Sequence, residues 1–172
     1  SIGAPWFAPA GETRGKVGGL VTGVDKKLSK ANRDTLYSNK INPIASFTDS
    51  GLLVFGQKTL QNAASALDRV NVRRLLLDVK DTIGGFADEI LFDQNTETVR
   101  SAFVAKANSY LDNLVQRNGL YAYQVKMDGQ NNTADIIDQN MLVGQVFLQP
   151  TKTAEFIVID FTLTRTGASF TD

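Results

Sequence analysis

Residues 72–90 read VRRLLLDVKDTIGGFADEI. Val72, Leu75, Leu76, Val79, Ile83, Phe86 and Ile90 recur at steps of three and four, which places them on one face of an amphipathic helix. Asn71 is the expected N-cap, because a short polar side chain there accepts from an otherwise unpaired backbone N–H. Gly84-Gly85 weakens the helix by about 1 kcal/mol per glycine relative to Ala, so a bend or a close helix contact is expected. Arg73 and Arg74 stand near the positive end of the helix dipole, the unfavourable end for a cation, and so imply an acidic partner in the chain or on a neighbour.

A second helix is predicted over Thr96–Arg117, capped by Asn95, with Val99, Phe103, Ala107, Tyr110 and Leu114 as its apolar stripe. Arg117 suits the negative end, and Asn118-Gly119 closes the helix, with the glycine taking the left-handed position. Strand-like runs follow at Leu120–Met127, Met141–Gln149 and Ala154–Arg165, the first two separated by the turn-rich DGQNNTADIIDQN. In the last run Ile157, Ile159, Phe161 and Leu163 alternate with Val158, Asp160, Thr162 and Thr164, as in a strand with one buried face. Upstream, Leu28–Ser38 forms a short helix started by Ser29, which must end before Asn42-Pro43. Pro43–Thr48 and Leu52–Phe55, separated by Asp49-Ser50-Gly51, make a hairpin. The expected fold is α+β: two long helices on a mainly antiparallel sheet, with an additional β-hairpin and extended terminal arms. Residues 1–23, with Pro5 and Pro9, read as an N-terminal arm, residues 24–165 as one domain, and residues 166–172 as a tail. Trp6 and Phe7 in that arm are expected to bury against this domain or against a partner.

Composition removes much chemistry. The chain of 172 residues has no Cys and no His, which excludes thiolate nucleophiles, His-based triads and His-ligated zinc. AGETRGKV, residues 10–17, fails as a phosphate loop: only three residues separate Gly11 from Gly15, and Val17 stands where a Ser or Thr would hold magnesium. The acids Asp78/Asp81, Asp88/Glu89/Asp93 and Asp135/Asp138 lack calcium-loop spacing and read as solvated helix faces or caps. Asn131-Asn132-Thr133 reads as a polar turn. No catalytic residue, cofactor or metal is therefore expected. Net charge is zero and no apolar run approaches the roughly 20 residues of a membrane span. Neither nucleic-acid binding nor membrane insertion is expected. Charge is nevertheless uneven: from Glu12 to Lys40 seven Lys/Arg face three acids, a net +4 that leaves −4 elsewhere. That separation suits self-assembly. The chain opens on Ser1, and its only methionines are Met127 and Met141, so it reads as a piece of something longer.

In order along the chain stand Pro5-Trp6-Phe7-Ala8-Pro9-Ala10-Gly11 with Arg14-Gly15, Leu36-Tyr37, Ile41-Asn42-Pro43-Ile44, Gly56-Gln57-Lys58-Thr59-Leu60, Val72-Arg73-Arg74-Leu75, Leu91-Phe92-Asp93-Gln94-Asn95, and Pro150 through Phe161. Taken together this succession resembles the C-terminal domain of contractile tail sheath proteins of myovirus-type phages, relatives of pyocin and type VI secretion sheaths. It departs where Lys58 replaces an expected Arg and where Asp93-Gln94-Asn95 replaces Glu-Pro-Asn.

The resemblance implies a structural subunit, not an enzyme. It would polymerise with copies of itself around a tail tube protein, meet baseplate and tail terminator proteins, and contract by subunit rearrangement to drive the tube through the host envelope. Its place would be the virion, after assembly in the host cytoplasm. Terminal arms would add strands to neighbouring copies, through Phe156, Val158, Asp160, Thr162, Thr164 and Arg165. Lys26, Lys27, Lys30, Arg33, Arg73 and Arg74 would make electrostatic contacts with neighbours or the tube. The alternatives are a metal-dependent enzyme built on the Asp/Glu clusters and a non-contractile tail binding module.

Overall fold

The computed structural model describes residues 3–19 and 21–159. Helix α1 (Lys30–Ser38) leads into a hairpin of β1 (Ile44–Phe47) and β2 (Gly51–Val54); a 3-10 turn (Ala66–Asp68) then precedes α2 (Val70–Glu89). After α3 (Glu97–Gln116) come β3 (Leu120–Lys126), the short α4 (Ala134–Asp138) and β4 (Gln145–Pro150). Strands β1 and β2 pair antiparallel, Ile44 opposite Val54, and β3 pairs antiparallel with β4, Tyr123 opposite Leu148. The fold is thus α+β.

The long helices form where the three- and four-residue spacing placed them, but their ends differ. Helix α2 begins at Val70, two residues before the expected start, so Asn71 is not the N-cap. It lies in the first turn, buried, and its Nδ2 donates to the Trp6 carbonyl at 3.2 Å. Thr96 caps α3 in place of Asn95, its hydroxyl accepting from the Val99 N–H. Asn95 instead ties the helix entry to the Met141 carbonyl and accepts from Arg100. At the far end Asn118, not Gly119, takes the left-handed conformation, with φ 60°. Gly119 is needed for space: a Cβ there would stand 3.0 Å from the Trp6 ring. The Gly84-Gly85 pair produces neither a break in α2 nor a close helix contact, since nothing lies within 4 Å of where either Cβ would be.

The core sits between the helices and the β3–β4 sheet. The buried stripe of α3 is Phe103, Ala107, Leu111 and Leu114, with Leu111 taking the place expected of half-buried Tyr110. Leu111 and Leu114 meet Leu75 and Val79 of α2, Leu120 of β3, and Ala4 and Trp6 from the chain start. Phe103 and Ala107 form a second cluster with Met127. Full burial of each such large side chain contributes about 1.5–3 kcal/mol.

Residues 3–17, expected as an extended arm, lie along this domain. Trp6 is only 4% exposed and belongs to the main core. Its Nε1 donates to the Arg117 carbonyl at the end of α3, and the Arg117 guanidinium covers its ring at 4.8 Å. Of the two expectations for Trp6, burial against this domain is the one found. Phe7 is half-buried under the Arg14 guanidinium. Farther on, Gly11 N–H and Val17 N–H donate to the Val54 and Leu52 carbonyls, and Lys16 bridges Leu53, so the segment runs beside β2.

The third late strand is the main correction. Residues 151–159 carry no strand assignment, and among the described residues the β3–β4 sheet is two-stranded. Ile157 and Ile159, expected on a buried face, are exposed. Period-two alternation specifies which residues share a face; it does not supply the strand they pair with. Asp160, Thr162, Thr164 and Arg165 lie outside the described residues.

Candidate functional site

Beyond β4 the chain is fastened twice and then released. Thr151 makes the first fastening, its N–H donating to the Gly119 carbonyl at 3.2 Å and its hydroxyl to the Asn118 carbonyl at 2.8 Å. Four residues later Glu155 makes the second. Its Oε1 accepts from Arg69 Nε at 2.6 Å, while Oε2 accepts from Arg69 Nη2 at 3.0 Å and from the Tyr37 hydroxyl at 2.7 Å. Gln57 Nε2 donates to the Thr153 hydroxyl at 2.5 Å and reaches Oε1 of Glu155 at 3.4 Å. Two parallel bonds from one guanidinium to one carboxylate are the strong, geometrically specific form of such a pair.

Each partner is placed by its own element. Tyr37 sits in the last turn of α1, whose N-cap Ser29 accepts from the Asn32 N–H. The Lys58 ammonium lies 4.1 Å from the Tyr37 ring centre and donates to the Tyr37 carbonyl. Asn42 exchanges two hydrogen bonds with the Lys58 backbone, which orders the turn carrying Gln57. Arg69 is the N-cap residue of α2, so its side chain leaves the helix start instead of capping it; it also pairs with Asp68 at 3.0 Å. Burial alone would push the Glu155 carboxyl up, but the hydrogen bonds from Arg69 and Tyr37 and the Arg69 charge outweigh it and hold the carboxyl below the usual range. Burial, then the Glu155 contact, pushes the Tyr37 phenol well above its ordinary value.

A pH dependence follows. A carboxylate whose pKa is lowered on folding stabilises the folded chain at pH above its unfolded value, about 4.3 for Glu, and loses that contribution as pH falls through the folded value. Acid titration of the melting temperature is therefore expected to be steeper below about pH 4.5 for the native chain than for Glu155→Gln. Identical acid limbs in the two proteins would contradict the role given to Glu155.

Immediately after this clamp, Phe156, Ile157, Val158 and Ile159 are 81, 79, 86 and 65% exposed. Single exposed apolar residues are ordinary; these are four β-prone ones in succession. They emerge beside a cleft of about 240 Å³ whose walls include Ala10, Tyr37, Phe55, Gln57 and Phe156.

The basic residues divide into two groups. Lys26, Lys27 and Lys30 are exposed and have no ion pair among the described residues. Arg33 makes contacts inside the domain: its guanidinium lies 4.9 Å from the Phe47 ring and 5.9 Å from Phe55, and donates to the Leu28 carbonyl. Arg73 is exposed and Arg74 half-buried, with no ion pair among the described residues. Because α2 starts at Val70, both lie past the first three helical residues, where the dipole effect fades, and the case for an obligatory acidic partner weakens.

The acid clusters do not converge. Among the described residues no three Asp or Glu side chains gather as a cation site. Glu89 pairs with Lys106, and Asp78 accepts from the Tyr110 hydroxyl. Asn131 and Asn132 organise the loop before α4, Asn132 holding both the Val143 N–H and its carbonyl. No helix among the described residues is long and apolar enough to cross a membrane.

Comparison with known proteins bears on the family and the fold. Residues 62–164, more than half of the chain, match the family described as the phage tail sheath C-terminal domain. The chain is 38% identical over 171 residues to the tail sheath protein of Vibrio phage KVP40 and 34% identical over 170 residues to that of Enterobacteria phage T4. In both comparisons 99% of this chain is aligned, but it spans only 25% and 26% of those relatives. Among solved structures it resembles a chain of the anti-feeding prophage baseplate, with a TM-score of 0.84 and 27% identity, covering 94% of this chain and 46% of that one. It also resembles the sheath complex of the extracellular contractile injection system PVC in its contracted state, with a TM-score of 0.83 and 29% identity over 94% of this chain and 46% of that one.

Proposed function

Because the chain belongs to the phage tail sheath C-terminal domain family, we propose that it forms the C-terminal domain of a contractile sheath subunit, which polymerises with identical copies into a helix around a tail tube. The observation that carries the linkage between copies is the exposed run Phe156–Ile159, released directly after the Glu155 clamp. A β-prone run that pairs with no strand among the described residues offers its backbone N–H and C=O groups to another chain. Head-to-tail pairing whose rotation does not close into a ring builds a helical polymer.

The sheath is assembled in the host cytoplasm in an extended, metastable form and becomes part of the virion. Release at the baseplate lets each copy rotate into a lower-energy packing, which drives the tube through the host envelope. The domains move as rigid bodies while the strands keep neighbours attached. The baseplate, the tube protein and the terminator are its other partners, and no cofactor, nucleotide or catalytic residue takes part. Electron microscopy of the full-length protein tests the proposal: tubes are expected, and a protein that stays monomeric at assembly concentrations would contradict it.

Cations with no ion pair among the described residues supply a second, electrostatic contribution. Reversing Lys26, Lys27, Arg73 and Arg74 to Glu is expected to impair tube formation while the melting temperature of the domain stays nearly unchanged. A large fall in melting temperature would place their partners inside the domain.

A further inference from the structure

We propose that Glu155 is a positioning residue, whose carboxylate fixes the point and direction at which residues 156–159 leave the domain, so that pull and rotation on them are transmitted to α1 and α2. This inference rests on the linkage proposed for residues 156–159.

Four observations carry it. First, the clamp is placed immediately before the exposed run, with no intervening residue to act as a tether. Second, its partners come from three separate stretches of chain: Tyr37 from α1, Gln57 from the turn after β2, and Arg69 from the start of α2. A force applied at residue 156 is therefore shared by elements distant in sequence and not borne by β4 alone. Third, Thr151 fastens the same segment to the end of α3, so the root is held at two points and its direction is determined. Fourth, the charges around Glu155 favour the clamp: Arg69 is the cation in direct contact, Asp68 pairs with Arg69 from the outside, and Lys58 covers the Tyr37 ring. A segment already ordered at its root also loses less conformational entropy when it docks, which favours association without any added contact.

A residue that only stabilised the fold would alter melting temperature and nothing else; a positioning residue also sets where the next residues lie. The absence of Cys permits clean labelling, with Ile157→Cys and Gln116→Cys, both exposed, carrying spin labels for pulsed electron resonance. The otherwise native chain is expected to give a single narrow distance peak. Glu155→Ala is expected to lose that peak to a broad distribution, with Tyr37→Phe, which removes only the 2.7 Å bond to Oε2, giving partial broadening. Should Glu155→Ala fail to fold, Tyr37→Phe supplies the reading. A narrow, unshifted peak in the folded variants overturns the proposal. In the full-length protein, deletion of residues 156–172 tests the linkage separately. Loss of tubes on deletion together with normal tubes and a narrow peak for Glu155→Ala would overturn the positioning role and leave the linkage standing. Normal tubes after deletion would overturn the linkage, and with it this inference.

Discussion

Trp6→Ala is expected to lower the stability of the chain by about 3–5 kcal/mol, the range for removing a buried Trp or Phe from a core that relaxes only partly. The side chain is 4% exposed and packs with Ala4, Leu75, Val79, Leu111, Leu114 and Leu120. Truncation empties the centre of that cluster. It also removes the Nε1 hydrogen bond to the Arg117 carbonyl, one of the unpaired acceptors at the end of α3, and the aromatic face under the Arg117 guanidinium. Trp6→Phe keeps most of the apolar body and loses the N–H bond, so its cost should be smaller. Urea denaturation followed by far-UV circular dichroism measures both, since Trp6 is the only tryptophan and its fluorescence is lost with the substitution. A loss below about 1 kcal/mol for Trp6→Ala, well under the core range, would mean that the chain start is not seated on the domain in solution.

The second large effect is on assembly. In the full-length protein, Ile157→Lys combined with Ile159→Lys is expected to abolish or severely reduce tubes. The same double substitution in the isolated chain should change its stability by less than about 0.5 kcal/mol, as is usual for exposed positions without special contacts. The separation is possible because both residues are exposed, at 79 and 65%, and neither belongs to a core cluster. A charge at either position leaves the isolated domain undisturbed but has to be desolvated when the segment pairs with another copy. Undiminished tubes from the double variant would show that assembly does not use this run.

Much of the fold can be read in local pattern. The spacing of Val72, Leu75 and Val79, and of Phe103, Ala107 and Leu114, locates both long helices, and Asp49-Ser50-Gly51 locates the hairpin turn. Helix ends are less legible because adjacent residues compete for the cap. Asn95 and Thr96 are both good caps, and only the backbone geometry selects Thr96. Asn71 has the chemistry of a cap but is taken by a long-range bond to Trp6. The seating of residues 3–17 is invisible to periodicity, since it depends on contacts between the chain start, α3 and β2 that are far apart in sequence. The clamp is hidden for the same reason: Tyr37, Gln57, Arg69 and Glu155 share no motif, and only folding brings them together. The one local signal was an acid placed directly before the apolar run beginning at Phe156. The alternation of that run reads as a strand, but residues 156–159 carry no strand assignment, because alternation shows which residues share a face and not whether a partner strand lies beside them.

The account turns on whether residues 156–159 pair with another copy in the assembled sheath. Amide hydrogen exchange across these residues, compared between the isolated chain and tubes of the full-length protein, measures this directly, because ladder hydrogen bonds protect amides that exchange freely when unpaired. Fast exchange in the isolated chain and strong protection in the tubes is the expected result. Equally fast exchange in both would contradict the account.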